Sequence, residues 1–129
     1  MSHHENRAIL ERTINAMYGE DYETAASAMA DDAVVEWPQS GERIVGRDAC
    51  LMVYKNYPGG SPTYQLRRIS GGGDAFVVEA VADYSGEKSY VTSIVEFRNG
   101  KIVRQTDYWS TPFEAPGWRA QWVERMEPV

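Results

Sequence analysis

A carboxylate set in an aromatic strand is the side chain of this sequence best suited to chemistry. Asp107 lies late in the run Phe97–Trp109, directly before two aromatic residues. Aspartate is depleted in strand interiors, and a buried carboxylate costs free energy unless it is solvated, paired or used in a reaction. If Asp107 points into the protein, it is a candidate general acid or base. The alternative is a structural carboxylate that accepts a hydrogen bond from a nearby hydroxyl.

The turn at Asn99-Gly100 decides which face of the sheet Asp107 occupies. A two-residue turn pairs Phe97 with Ile102, whereas a three-residue loop with Gly100 in the left-handed region pairs Phe97 with Lys101. We favour the three-residue loop, because it gathers apolar residues and Asp107 on one face that helices can cover. That inner face then carries Val91, Ser93, Val95, Phe97, Val103, Gln105, Asp107 and Trp109, and the outer face carries Tyr90, Thr92, Ile94, Glu96, Arg98, Ile102, Arg104, Thr106 and Tyr108.

An apolar wall with a few convergent polar groups is the profile of a small-molecule pocket. The preceding hairpin, which turns at Gly86-Glu87, adds Phe76, Val78, Ala80, Ala82 and Tyr84 to the inner face. We therefore expect Asp107 to be the catalytic residue of such a pocket. The expected substrate-binding residues are Trp37, Tyr54, Tyr84, Ser93, Gln105 and Trp109; core packing is the alternative role for the aromatic ones.

The elements that must position these residues change their period halfway along the chain. Helical spacing predicts helices at 5–18, 22–29 (capped by Asp21) and 47–57, with short strands at 33–37 and 43–45 between the last two. Alternation then predicts strands at 63–70, 75–84, 88–97 and 101–109, joined as an antiparallel meander. Helices first and a sheet afterwards indicate a single α+β domain over residues 1–129, in which the helices cover one face of the sheet. If the sheet curls around the helices, the space between them becomes a cone with a pocket.

Composition and charge exclude several classes of function. The net charge of -6 argues against nucleic acid and anionic membranes as partners. No apolar run reaches the roughly 20 residues that span a bilayer, and the first residues do not resemble a signal peptide. The single cysteine, Cys50, cannot form an internal disulfide and favours a cytoplasmic location. With two histidines, both at the N-terminus, a zinc site is not expected, and we predict no metal and no cofactor.

The chain resembles the nuclear transport factor 2-like superfamily, and within it the SnoaL-like polyketide cyclase branch, over nearly its whole length. The resemblance is carried by the segments Asp31–Pro38, Gly46-Arg47, Val95–Ile102 and Asp107–Trp109, and the tail Pro112–Trp122 resembles a largely uncharacterised subgroup. It implies a cystatin-like cone with a pocket and a homodimer formed through the outer sheet face. It also implies that Asp107 matches the acid/base of the cyclases, while Ser93 stands where those enzymes have an assisting histidine.

Three functions follow as hypotheses. The first is a cofactor-independent lyase, isomerase or cyclase acting on a small apolar carbonyl compound, with Asp107 moving the proton and Gln105 and Tyr84 holding the oxygen. The second is a non-catalytic module that binds an apolar molecule, because Ser93 gives Asp107 no second titratable group. The third is a dimeric scaffold whose pocket is filled by its own side chains.

Overall fold

The computed structural model describes residues 3–60 and 62–129. Its helices are α1 (His3–Tyr18), α2 (Tyr22–Ser27) and α3 (Arg47–Lys55), followed near the C-terminus by a short 3-10 helix (Gly117–Trp122). Its strands are β1 (Met29–Trp37), β2 (Glu42–Val45), β3 (Thr63–Gly72), β4 (Ala75–Tyr84), β5 (Glu87–Arg98) and β6 (Lys101–Ser110). The predicted α+β class, with helices first and a meander afterwards, is confirmed.

The strands form one curved, unclosed sheet in the order β2-β1-β6-β5-β4-β3. All neighbours are antiparallel except β1 and β6, which run parallel. Strand β2, helix α3 and strands β3 to β5 lie between β1 and β6 in the chain, so the last strand returns to the middle of the sheet to pair with β1. This return places the ends of β1 and β6 side by side.

The second helix is shorter than predicted. Asp21 caps it as predicted, since the Asp21 side chain accepts a hydrogen bond from the backbone N–H of Thr24 at 3.3 Å. Met29, predicted to end the helix, instead begins β1, which therefore starts four residues earlier than Ala33. The first of the extra residues, Met29, lies opposite Ile102 at the start of β6, and the register shifts before Val34.

The β5–β6 hairpin corrects the predicted turn but keeps the predicted face for Asp107. Asn99 and Gly100 both have positive φ, 52° and 74°, and Phe97 pairs with Ile102, so the turn has two residues. The bulge comes one step later, where the partner of β5 jumps past Val103. A one-residue bulge at any position between the turn and Asp107 places the Asp107 side chain on the same face of the sheet, because one extra residue exchanges the two faces of the strand beyond it.

The bulge also corrects the placement of Ile102, which was predicted on the outer face. Because the extra residue follows Ile102, this side chain still shares the inner face with Phe97 and is 2% exposed. The predicted inner face of β4 is confirmed, with Val78 opposite Ser93 and Ala80 opposite Val91.

The core lies between the helices and one end of the inner sheet face. Phe76 and Phe97 meet edge to face there, with ring centroids 5.8 Å apart. The buried side chains around them are Leu10, Met29, Ala33, Val35, Ile44, Cys50, Val78, Val95 and Ile102. This cluster fixes one end of the cone and leaves the other end to the cavity described below.

Helix α1 is attached to the β3–β4 turn by a buried asparagine. The Asn6 side-chain amide donates to the Gly73 carbonyl at 2.8 Å and to the Asp74 carboxylate at 3.3 Å. The same turn needs glycine at position 71, where φ is +102° and a Cβ would lie 2.5 Å from the Ala75 carbonyl oxygen. These contacts hold the helix layer at a set distance above the sheet.

Candidate small-molecule site

A cavity of about 410 Å³ opens between the helices and the inner face of the sheet. This volume lies within the roughly 300–1,000 Å³ usual for small-molecule sites. Its walls combine aliphatic, aromatic and hydroxyl-bearing side chains from all three α-helices and all six strands. The predicted residues Trp37, Tyr54, Tyr84, Ser93, Gln105, Asp107 and Trp109 all line it. The seven candidate residues selected from the sequence therefore lie around one cavity.

Asp107 is held by neutral hydrogen-bond donors on both carboxylate oxygens. Oδ1 accepts from Ser93 Oγ at 2.6 Å and from Gln105 Nε2 at 2.9 Å. Oδ2 accepts from the indole Nε1 of Trp37 at 2.9 Å. Ser93 lies opposite Asp107 in the β5–β6 register, and Gln105 precedes it by two residues on the same face. These three donors fix the orientation of the carboxylate inside the cavity.

The contact from Trp37 was not anticipated, since the sequence suggested only a stacking wall. It exists because β1 runs parallel to β6, with Glu36 opposite Thr106, which brings the next residues of both strands together. Gln39, just beyond β1, also donates to the Asp107 backbone carbonyl at 3.4 Å. The sequence could have suggested that Trp37 donates a hydrogen bond, because a buried tryptophan N–H usually has an acceptor. The parallel pairing, a long-range contact, could not be derived from residue periodicity.

Tyrosine hydroxyls form the opposite part of the cavity wall. Tyr57 and Tyr84 bring their hydroxyl oxygens to 3.5 Å, and Tyr18 stacks on Tyr64 with centroids 5.6 Å apart. Burial raises the pKa of Tyr54, Tyr64 and Tyr84 above the ordinary value, and the Asp107 charge raises each further. These phenols therefore stay protonated at neutral pH and can donate hydrogen bonds. Tyr57 and Tyr64 were missed as cavity residues.

The charged groups that line the cavity are both acidic, Asp107 and the exposed Glu42. No lysine, arginine or histidine is part of the described lining. On the outer face, Arg104 pairs with Glu36 and reaches Glu96 at 3.7 Å. The positive charge nearest in the sequence to Asp107 is thus engaged on the other side of the sheet.

Within residues 3–60 and 62–129, no three His, Cys, Asp or Glu side chains are grouped as a metal site would require. In the same part of the chain, every helix is too short or too polar to cross a bilayer. Asp107 and the phenols that line the cavity can transfer protons and form hydrogen bonds to a ligand.

A cone-shaped α+β domain with a carboxylate inside its cavity is the architecture of a nuclear transport factor 2-like protein. The chain belongs to the SnoaL-like domain family of this superfamily, which it matches over residues 10–105. No protein with a curated description matches it.

Solved structures agree with this assignment. An NTF-2 like protein of unknown function from Burkholderia xenovorans LB400 is 40% identical, covers 96% of this chain and 97% of its own, and superimposes with a TM-score of 0.87. A proposed ketosteroid isomerase from Kribbella flavida is 28% identical, with coverage of 98% and 93% and a TM-score of 0.90. IdmH, a proposed polyketide cyclase from Streptomyces antibioticus, shares the fold at 19% identity, with coverage of 81% and 91% and a TM-score of 0.68.

Cys50 is expected to be unreactive in the folded protein. It is buried on α3, and desolvation together with the Asp107 charge raises the pKa of its thiol to about 11. The thiolate is the reactive form, so little of it exists at neutral pH. Titration with a chromogenic disulfide should label less than a tenth of the protein within minutes, and all of it in denaturant. Fast labelling of the native protein would contradict the burial of the Cys50 side chain. The cytoplasmic location inferred from this lone cysteine stays a prediction.

Proposed function

We propose that this protein is a cofactor-independent isomerase, cyclase or lyase that moves a proton on a small apolar carbonyl compound. The observation that carries the proposal is a hydrogen-bonded carboxylate, Asp107, inside a largely apolar cavity of about 410 Å³. Membership of the SnoaL-like family and similarity to a proposed ketosteroid isomerase support the same class of reaction.

In the proposed reaction Asp107 acts as the general base. A carboxylate oxygen can accept about two hydrogen bonds. Oδ2 accepts one, from Trp37, so a second acceptor position on it is open to the substrate. The substrate C–H bond next to the carbonyl breaks, the proton passes to Asp107, and the electron pair moves onto the carbonyl oxygen. Returning that proton to a different carbon completes an isomerisation.

The tyrosine hydroxyls stabilise the charge that develops on the substrate oxygen. Tyr54 and Tyr84 remain protonated at neutral pH, and each can donate toward the cavity. A fixed donor aimed at a developing oxyanion lowers the barrier more than it strengthens binding of the neutral carbonyl. Gln105, expected from the sequence to share this task, donates one N–H to Asp107 and thus has the further role of orienting the base.

Deuterium exchange tests the proposal without knowledge of the product. Apolar ketones are incubated with the protein in D2O, and deuterium entering the carbon next to the carbonyl is followed by NMR. A base in the cavity should exchange at least one ketone faster than buffer does, and the Asp107→Asn variant should lose this acceleration. Exchange that is equally fast with the variant would overturn the role of Asp107.

A second candidate function, binding without catalysis, is favoured by the same hydrogen bonds. Ser93, Gln105 and Trp37 all donate to the carboxylate, and none of them is a second titratable group that could assist a base. A thermal-shift screen that finds ligands, with mass spectrometry showing each ligand unchanged and NMR showing no exchange, would favour this function. A scaffold with a filled pocket gains no support, because the cavity is open.

We also propose that the chain forms a homodimer through its outer sheet face. Ile94 and Tyr108 leave 37% and 45% of their surfaces exposed at the centre of this face. Large apolar side chains on the middle strands of a sheet indicate a covered surface. Sedimentation at micromolar concentration should give twice the chain mass of 14.5 kDa.

A matched pair of variants tests the dimer surface. Tyr108→Glu places a charge in the proposed interface and should yield monomers. Met52→Glu places the same charge on exposed α3, on the helix side, and should leave the dimer intact. A wild-type protein that sediments as a monomer would refute the proposal.

A further inference from the structure

We propose that the cavity selects positively charged ligands and that its occupant is a small apolar amine bound in its protonated form. The inference rests on the cavity being a ligand site, as the proposed function does, but it concerns the charge of the ligand and no reaction.

The first support is that the charge of Asp107 has no positive partner among the described residues. Ser93, Gln105 and Trp37 hold it with neutral groups. Arginines and lysines of the described ion pairs bind carboxylates elsewhere, for example Arg43 and Arg104 on Glu36. A charge that is partly removed from water without a counter-charge is costly, so a cation entering the cavity gains more than a neutral molecule does.

The second support is the unfilled acceptor position on the carboxylate. Oδ1 receives two hydrogen bonds, whereas Oδ2 receives one, from Trp37. An ammonium N–H is a charge-assisted donor, and such hydrogen bonds are roughly twice as strong as neutral ones. An ammonium group at Oδ2 would complete the coordination of Asp107 and neutralise it in one step.

The third support is the aromatic surround. Trp37 and Trp109 stand edge to face with centroids 5.7 Å apart, and both line the cavity with Asp107. Indole faces attract cations more strongly than other side-chain rings do. The walls beyond them are aliphatic, for instance Val91 and Ile14, which suits the hydrocarbon part of an amine. A carboxylate on the same skeleton would instead meet the fixed charge of Asp107 in a site of low polarity.

Isothermal titration calorimetry with naphthylmethylamine, naphthylmethanol and naphthoate tests the inference on one skeleton in three charge states. At neutral pH the amine is expected to bind the wild-type protein about tenfold or more tightly than the alcohol, and naphthoate is expected not to bind. Equal affinity for amine and alcohol, tighter binding of the acid, or no binding of any of the three overturns the inference.

Two variants assign the effect to one carboxylate. Asp107→Asn should abolish the preference for the amine while its affinity for the alcohol changes less than about threefold. Glu42→Gln removes the other acidic group of the lining and should keep the preference. If Asp107→Asn does not fold, the affinities of the wild-type protein for the three naphthyl compounds still decide whether the cavity prefers a cation. Amine preference without deuterium exchange would leave this inference standing and count against the proposed reaction.

Discussion

Replacement of Asp107 by asparagine is expected to lower the turnover of a responsive ketone by a factor of about 100 to 10,000, the usual contribution of a positioned general base. The cavity loses its proton acceptor but keeps its shape, because asparagine has nearly the same volume. Ketone affinity should change little, since the ketone carries no charge to pair with Asp107. The effect should therefore fall on kcat rather than on KM.

The hydrogen bonds of Asp107 show where this variant strains the site. An asparagine Oδ1 can still accept from Ser93 and Gln105, but its Nδ2–H groups then face the indole N–H of Trp37. Two donors facing each other leave one unsatisfied, at about 1–3 kcal/mol of stability. The double variant Asp107→Asn with Trp37→Phe removes this conflict. It should regain most of the lost stability and remain inactive.

Steady-state kinetics on the exchanging ketone and urea denaturation measure the two effects separately. Trp37→Phe alone is the matched control, because it keeps the base and removes one donor. It should reduce kcat by less than about tenfold, the scale of one neutral hydrogen bond. If Trp37→Phe and Asp107→Asn were equally inactive, the geometry of the aromatic pair and not the base would limit the reaction.

The inward orientation of Asp107 could be predicted from sequence because a strand has only two faces. Any odd number of extra residues before Asp107 turns it toward the core, whichever residue supplies the bulge. The bulge was expected at Gly100, but the extra residue is Val103. The predicted inward orientation of Asp107 is nevertheless correct, because both bulge positions precede Asp107. Ile102 lies between the two possible bulge positions, which is why it was the residue assigned to the wrong face.

The third donor to Asp107 could not be predicted in the same way. Ser93 and Gln105 follow from the register of a local hairpin, whereas Trp37 is 70 residues away from Asp107 in the chain. Its contact requires the parallel pairing of β1 with β6, which no turn residue signals. Tyr57 and Tyr64 were missed for a related reason. One lies beyond the end of α3 and the other early in β3, so only the tertiary placement of the helices brings them to one wall.

Phe76→Ala is expected to cost about 3–5 kcal/mol of unfolding free energy, the usual range for truncating a buried phenylalanine. Phe76 is 0% exposed, lies opposite Val95 on the neighbouring strand and meets Phe97 edge to face. The alanine loses this packing and leaves a cavity that the sheet can close only in part. Because the total free energy of unfolding of a domain is about 5–15 kcal/mol, the midpoint of urea unfolding should fall steeply.

Phe113→Ala is the matched control, because Phe113 follows β6 and is 79% exposed. The same truncation there should change the unfolding free energy by less than about 0.5 kcal/mol. If Phe76→Ala lowered the unfolding free energy as little as Phe113→Ala does, the core would not hold the sheet in the described register. Phe76 does not line the cavity, so the folded fraction of Phe76→Ala should keep its turnover per molecule. Stability without activity in the double variant Asp107→Asn with Trp37→Phe, and activity with little stability in Phe76→Ala, would separate the residues that react from those that hold them in place.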